Sequence, residues 1–340
     1  MQGECRVFAA ATRHIPPGCA ASPFPEPRQW SKASFVPHDH LPPDPSHPLA
    51  DFQALLAGAP AFDPVAAEAA RSALDHGGAA GELAAWVAGW RGKPVVRRAI
   101  VALYASSYAF APEGPVWART RLEHLAQGGG AVNRFARALG AGVEVFDLAL
   151  DRPVHDAALQ SAQRLREIAP TIAFGMEAMA KDPDLLILGD LAPGADRAAA
   201  ALIAGLTDQP AASLCRAEDL AWTEAALAQA RNAAPAHVLD WLAEVGGREM
   251  SALTGAILSA RAAGVPVPLE GLPAAAAALA ARQIGPSAVD HVRLAGAVDH
   301  PAFAAVAGIL GPPVVGYTSS DREGAAGLSA LGILRLAHPQ

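Results

Sequence analysis

Leu185-Leu186-Ile187-Leu188-Gly189-Asp190-Leu191-Ala192-Pro193-Gly194-Ala195-Asp196-Arg197 is the stretch on which the fold class turns. A short apolar run ends in a Pro-Gly turn, and an alanine-rich helical stretch, Arg197–Leu206, follows it directly. A run that is apolar on both faces suits a strand covered by helices on either side, which is the situation of a parallel sheet. The run Asp184–Gly189 has counterparts at Ala99–Tyr104, Val143–Leu150, Val265–Leu269 and Val289–Ala295. Between them lie helical patterns at Val116–Ala126, Val132–Leu139, Leu159–Ala180, Val238–Val245, Arg248–Ala262 and Pro273–Ala281. Strand and helix in alternation predict an α/β protein with a three-layer, Rossmann-like, mostly parallel sheet. In such an open sheet ligands sit beyond the carboxyl ends of the strands. That rule points to the segments after Tyr104, Leu150, Gly189, Leu269 and Ala295. Gly140 and Gly264, each just past a helical stretch, read as left-handed helix ends.

Moving outward, the helical period continues toward the N-terminus through Glu82–Trp90, Val65–Leu74 and Asp51–Leu56. It stops at about Pro48. Ten prolines fall between positions 16 and 48, and no helical or strand period survives there, so Met1 to Pro48 reads as a disordered, mobile tail. Its His38-Asp39-His40 invites a metal reading, but closely spaced histidines in a proline-rich tail are usually just solvated, and no metal site is assigned. The remaining chain, 49–340, reads as one unit, and the whole sequence, with 52% hydrophobic and 17% charged residues, has enough apolar material to bury a sizeable core.

A net charge of −7 with no basic run gives no electrostatic reason to expect nucleic acid or an anionic membrane as partner. The longest apolar stretch of the C-terminal half, Leu272 to Ala281, has about half the length a bilayer requires. Met1 to Ala21 lacks the apolar core of a signal peptide. Cys5, Cys19 and Cys215 follow no metal-ligand or CxxC spacing, which fits a reduced cytosol. The expected location is therefore cytoplasmic.

Four segments carry polar groups where chemistry is expected. Gly128-Gly129-Gly130-Ala131-Val132-Asn133 precedes a helix, and its free amides could cradle an anion; a plain helix–helix turn looks the same. Gly189-Asp190 with Gly194 and Arg197 lies at a strand's carboxyl end, where a phosphate could bind, although Asp196 could equally be an ordinary helix cap. Glu270 follows Val265–Leu269 at the ligand rim. Glu323-Gly324 stands in a polar loop before an apolar helix, where the carboxylate could act as a base or cap that helix. Glu249, after Gly246-Gly247-Arg248, sits in a helix's first turn, where negative charge is favourable anyway. GxGxxG after a strand, GxxxxGK[ST], HExxH and GxSxG are all missing, which sets aside nicotinamide oxidoreductases, P-loop NTPases, zinc proteases and serine hydrolases.

Taken in order, these segments resemble the nicotinate-nucleotide–dimethylbenzimidazole phosphoribosyltransferases, the CobT family. The similarity runs from about Asp51 to Leu336. Gly246-Gly247-Arg248-Glu249-Met250-Ser251-Ala252-Leu253-Thr254-Gly255-Ala256-Ile257 resembles the family's GG-x-E-[IM]-x-x-[ML]-x-G-A-[IM]. Gly129-Gly130-Ala131-Val132-Asn133 resembles G-G-A-A-I-N, and Gly189-Asp190 the start of G-E-M-G-I-G-N-T-T. Asp290-His291 with Leu294-Ala295-Gly296 resembles L-D-H-x-L-A-G-H, and Glu323-Gly324 falls at the family's G-E-G.

The resemblance implies transfer of phosphoribose from nicotinate mononucleotide to dimethylbenzimidazole or a similar base, giving the α-ribazole phosphate of the cobalamin lower ligand. Glu323 would be the catalytic base, and Gly129, Gly130, Asn133, Gly189, Asp190, Gly194, Arg197, Glu270 and Gly324 would bind substrate, without metal or organic cofactor. It further implies a homodimer. A smaller helical subdomain would be built from N-terminal helices (49–95) and the C-terminal segment (311–340), around a sheet-containing core (96–310).

Several family motifs are altered. K-P-x-G-S-L-G becomes His76-Gly77-Gly78-Ala79-Ala80-Gly81, and D-H-G-V becomes Ala105-Ser106-Ser107-Tyr108. G-I-G-N-T-T becomes Ala192-Pro193-Gly194-Ala195-Asp196-Arg197, with two hydroxyls and one backbone N–H lost. The H-x-S-x-E-x-G-H segment becomes Ala297-Val298-Asp299-His300-Pro301, and a G-R-G-T-G loop has no counterpart near Asp208–Leu214. These changes leave open a catalytically impaired paralogue, serving as a base-binding protein or as partner subunit in a heterodimer with an active transferase. A different α/β enzyme sharing only the scaffold is the third alternative.

Overall fold

The computed structural model describes residues 6–9, 47–74, 78–316 and 323–337. Its strands are β1 (Arg6–Ala9), β2 (Ala99–Ala105), β3 (Gly142–Asp147), β4 (Leu185–Leu191), β5 (Val267–Leu269) and β6 (Val292–Leu294). The helices up to β4 are α1 (His47–Ala57), α2 (Pro64–Ser72), α3 (Gly78–Arg91), α4 (Gly114–Ala126), α5 (Gly130–Ala138) and α6 (Leu165–Gly175). After β4 come α7 (Ala195–Thr207), α8 (Ala211–Leu214), α9 (Leu220–Asn232), α10 (Val238–Val245), α11 (Arg248–Ala262), α12 (Gly271–Ile284), α13 (Ala302–Leu310) and α14 (Ala325–Ala337).

All strand pairs are parallel, in the order β1-β3-β2-β4-β5-β6. Side-chain alternation builds two cores from one sheet. Ile100, Ala102, Tyr104, Leu186 and Leu188 face the layer containing α6, α7 and α9–α13. Val101, Leu103, Ala105, Leu185 and Ile187 face α3, α4, α5 and α14. This double coverage is the reason β2 and β4 read as continuous apolar runs: every one of their residues is buried.

The expected strands and most expected helices are present, with instructive differences. Arg6–Ala9 adds to β3 as an edge strand, correcting the reading of the whole proline-rich stretch as lacking strand; among residues 1–46 the rest, with His38-Asp39-His40, lies outside the described residues. Val289–Ala295 shortens to β6 because Pro286–Val289 forms a 3₁₀ turn first. Leu159–Ala180 becomes α6 plus a 3₁₀ turn, Met176–Met179, because residues 155–163 are tied elsewhere: the Ala162 and Gln163 amides donate to the Glu244 and Ala243 carbonyls. Gly140 and Gly264 do end their helices left-handed, at φ +58° and +62°.

His291 shows how the family-like Asp290-His291 serves the fold. It immediately precedes β6, at that strand's amino end, is fully buried, and meets the Trp90 ring edge-on at 6.1 Å. Burial, assisted by the nearby Arg261 charge, pushes its pKa from the ordinary 6.5 down to about 3. The unfolded chain therefore takes up a proton that the folded chain refuses. Stability from this group is complete above about pH 6.5 and is lost as pH falls toward 3, at roughly 1.4 kcal/mol per unit. Urea midpoints should thus indicate a loss of about 2 kcal/mol between pH 7 and 5 from this group alone, and His291→Phe should remove that component.

Candidate functional site

The sheet order reverses direction between β2 and β4: the chain leaves β2 for β3 on one side and returns to β4 on the other. In a doubly wound sheet the crevice opens at such a point. The residues that chemistry requires fall into two groups around it.

The first group belongs to the α4, α5 and α14 layer. The start of α14 lies over the β2–β4 pair. A Cβ on Gly324 would stand 2.7 Å from Val101, and Gly324 has φ +98°, so no other residue fits without strain. Glu323, one residue earlier, is only 6% exposed. Both of its carboxylate oxygens accept from Arg121, one from Nε and one from Nη2, in a bidentate ion pair joining α4 to the entry of α14. Gly130, at φ +79°, adjoins this pair: a Cβ there would meet Leu125 at 2.8 Å and Arg121 Nη2 at 3.4 Å. Asn133 is buried and donates to the Leu125 and Gly129 carbonyls at 2.9 and 2.8 Å, fastening the Gly-rich turn between α4 and α5.

Glu270, just past β5, is 2% exposed, and its Oε1 accepts from the Gly327 amide at 2.5 Å. The carboxylate thereby caps α14 from a different element, where a helix N-terminus favours negative charge. Glu270→Ala should cost about 1–3 kcal/mol of stability by leaving that buried amide without its acceptor, visible as a lower urea midpoint; a residue that only held substrate would leave the midpoint unchanged.

The second group adjoins the α7 layer. Gly189 and Asp190 are the fifth and sixth residues of β4, in register with Leu103 and Tyr104. Asp190 is buried, and its Oδ2 accepts from the Ala192 amide at 3.1 Å. At the start of α7 the Ala195 amide bonds the Ala192 carbonyl and the Arg197 amide the Gly194 carbonyl. Phe110, from the segment after β2, lies against Gly194, whose φ is +88° and whose Cβ, if present, would stand 2.8 Å from that ring. Arg197 pairs with Asp219 at 2.5 Å and lies over the rings of Phe110 and Trp222. The turn read as a phosphate loop is thus lined by an aromatic cluster and an arginine already engaged by a carboxylate.

Three features escaped the sequence reading. Arg121 carries no local signal, because its partner is 202 residues away. The Tyr108 hydroxyl donates to Glu249 Oε1, and Glu249 is wholly buried, so that glutamate serves more than the helix dipole. His300 is 7% exposed, with its Nδ1 accepting from the Ala302 amide at 3.3 Å; burial pushes its pKa down. Among the described residues no group of three His, Cys, Asp or Glu side chains is placed to hold a metal ion, and no helix is long and apolar enough to cross a membrane.

Strand order and the placement of Glu323 define a doubly wound α/β protein with a buried, arginine-held acid beside its switch point. Comparison with known proteins makes this specific. The DBI_PRT phosphoribosyltransferase family model matches residues 65–339. Nicotinate-nucleotide–dimethylbenzimidazole phosphoribosyltransferases from Rhizobium rhizogenes and Sinorhizobium medicae are each 34% identical over 313 residues, spanning 85% of this chain and 93% of theirs. The solved structure of the same-named protein from Thermus thermophilus superposes with a TM-score of 0.72 at 28% identity, over 81% of this chain and 95% of that one. A CobT structure from the same organism gives 0.68 at 26% identity, over 86% and 95%. The chain belongs to the nicotinate-nucleotide–dimethylbenzimidazole phosphoribosyltransferase family.

Proposed function

We propose that the protein transfers the phosphoribosyl group of nicotinate mononucleotide to dimethylbenzimidazole or a closely similar azole, with Glu323 as general base. The observation that carries the reading is the carboxylate of Glu323, buried beside the switch point and held in one orientation. In the reaction a ring nitrogen of the acceptor forms a bond to the anomeric carbon, and the bond from that carbon to the nicotinate nitrogen breaks. Nicotinate departs with the electron pair and loses its pyridinium charge, so it needs little acid assistance. The acceptor becomes cationic and its second N–H turns acidic. Glu323 takes that proton and, before doing so, stabilises the developing positive charge. The scheme calls for no metal or organic cofactor.

The supporting roles follow from position. Gly129 and Gly130 keep the α4–α5 turn compact beside the base, Asn133 ties that turn together, and Gly324 lets the chain pass close to β2. Gly189, Asp190, Gly194 and Arg197, at the carboxyl end of β4 and the start of α7, would receive the mononucleotide phosphate once the Phe110 ring moves off Gly194. Glu270 fixes the helix that follows the base. The reading includes a homodimer, which sedimentation of the purified protein checks, and a cytoplasmic location, which fractionation of cells checks. Incubation with nicotinate mononucleotide and dimethylbenzimidazole should yield free nicotinate and α-ribazole phosphate in equal amounts. Absence of product across a panel of azole and phenolic acceptors would reject the transfer.

A further inference from the structure

The arginine on Glu323 is a contact to which the proposed reaction has so far given no role. From it we infer that Arg121 is a positioning residue for the transfer, holding the proton-accepting carboxylate in its working plane. The inference rests on Glu323 being the base.

The argument starts from what fixes a carboxylate. A glutamate has three side-chain torsions, and placing its tip costs entropy unless contacts hold both ends. At the backbone end, Gly324 is wedged against Val101, and the Gly324 carbonyl accepts from the Leu328 amide at 2.9 Å. At the tip, the guanidinium of Arg121 meets both oxygens. A bidentate pair sets the plane of the carboxylate as a single N–H contact cannot.

Arg121 is itself held. Ala118, Leu122 and Leu125 bury the inner side of α4, which fixes the helix that carries it. The guanidinium also lies against Gly130, at the 3.4 Å spacing given above. This supplies a physical reason for glycine at the α4–α5 turn that involves no anion: a side chain there would press on Leu125 and on the arginine.

The test uses the full chain. Arg121→Gln should lower kcat by roughly 30- to 300-fold while each substrate's KM stays within about threefold, because orientation of a base is felt in the transition state and not in ground-state binding. Arg121→Lys, which restores the charge but not the fork, should recover part of that loss. A kcat within threefold of wild type in Arg121→Gln, or a loss taken up wholly in KM, overturns the inference. A second readout does not depend on turnover. The melting temperature of the Arg121→Gln/Glu323→Gln double variant should fall no further than that of the worse single variant, because both remove one interaction; simple addition of the two shifts would mean the pair is not coupled. If wild type is active and Glu323→Gln keeps that activity, it is the base assignment that fails, and the melting data still report whether the pair exists. Failure of Arg121→Gln alone to lower kcat, with Glu323→Gln inactive, rejects only the role given to the arginine.

Discussion

Glu323→Gln is expected to lose the transferase reaction by about 10²- to 10⁴-fold in kcat, the usual contribution of a positioned acid–base group, with substrate affinity changed little. The amide fills the same space, and its oxygen can still accept from one guanidinium N–H of Arg121, so the α4–α14 junction stays closed and the variant folds. What it lacks is a site for the acceptor's proton and a full negative charge facing the azolium. Glu323→Asp should fall between the two. Its carboxylate survives but sits one methylene short, too far back to meet both the fork of Arg121 and a bound azole. Nicotinate release under saturating conditions measures kcat, and calorimetry with dimethylbenzimidazole measures retained binding. Full activity in Glu323→Gln would refute the mechanism. Loss of azole binding in parallel with activity would make the glutamate a substrate anchor and not a base.

The ordering of these effects bears on what a sequence displays. β2 and β4 were legible because they are covered on both faces, so that their apolar runs are unbroken. α9 was missed because the face it buries consists of Thr223, Ala226, Leu227 and Ala230, a single large apolar residue among small ones that contrast little with their neighbours. In the site, the polar loop carrying Glu323 was legible between apolar segments, but the residues alone left base and helix cap open, and only the resemblance singled Glu323 out from Asp321 beside it. The sequence placed Glu270 correctly at the rim, but only coordinates show its oxygen on the Gly327 amide. Arg121 and the Tyr108–Glu249 pair depend on which elements the fold makes adjacent, and no local pattern encodes that. The Gly246–Ile257 stretch is a different case. It carried the strongest resemblance, yet most of what it encodes is packing.

The second large effect comes from that packing. Gly255→Ala should destabilise the protein by about 3–5 kcal/mol, at or above the upper end for overpacking, out of a total of roughly 5–15 kcal/mol for folded domains in general. A Cβ on Gly255 of α11 would stand 1.8 Å from the Ile172 carbonyl oxygen of α6, and one on Gly175 would stand 1.8 Å from the Ala252 carbonyl oxygen. The two glycines thus let the helix backbones touch on opposite sides of one crossing, and the obstacles are main-chain atoms that no rotamer change can move aside. Relief requires the helices to separate, which loosens Ile168 and Ile172 of α6 against Met250, Leu253 and Ile257 of α11, all buried in the same core. Gly175→Ala should cost a similar amount. The double variant should cost clearly less than the sum, because a crossing already opened for one methyl accommodates the second more cheaply. Gly308→Ala is the control: it lies in α13 with nothing within 4 Å of its Cβ position, and alanine there should stabilise by about 0.5–1 kcal/mol. Urea denaturation of the four variants checks all these values, and a Gly255→Ala midpoint equal to wild type would mean that α6 and α11 do not cross at backbone contact. Because α11 also carries Glu249 beneath Tyr108, the same separation should reach the β2 end of the crevice, so Gly255→Ala protein that still folds should also turn over more slowly.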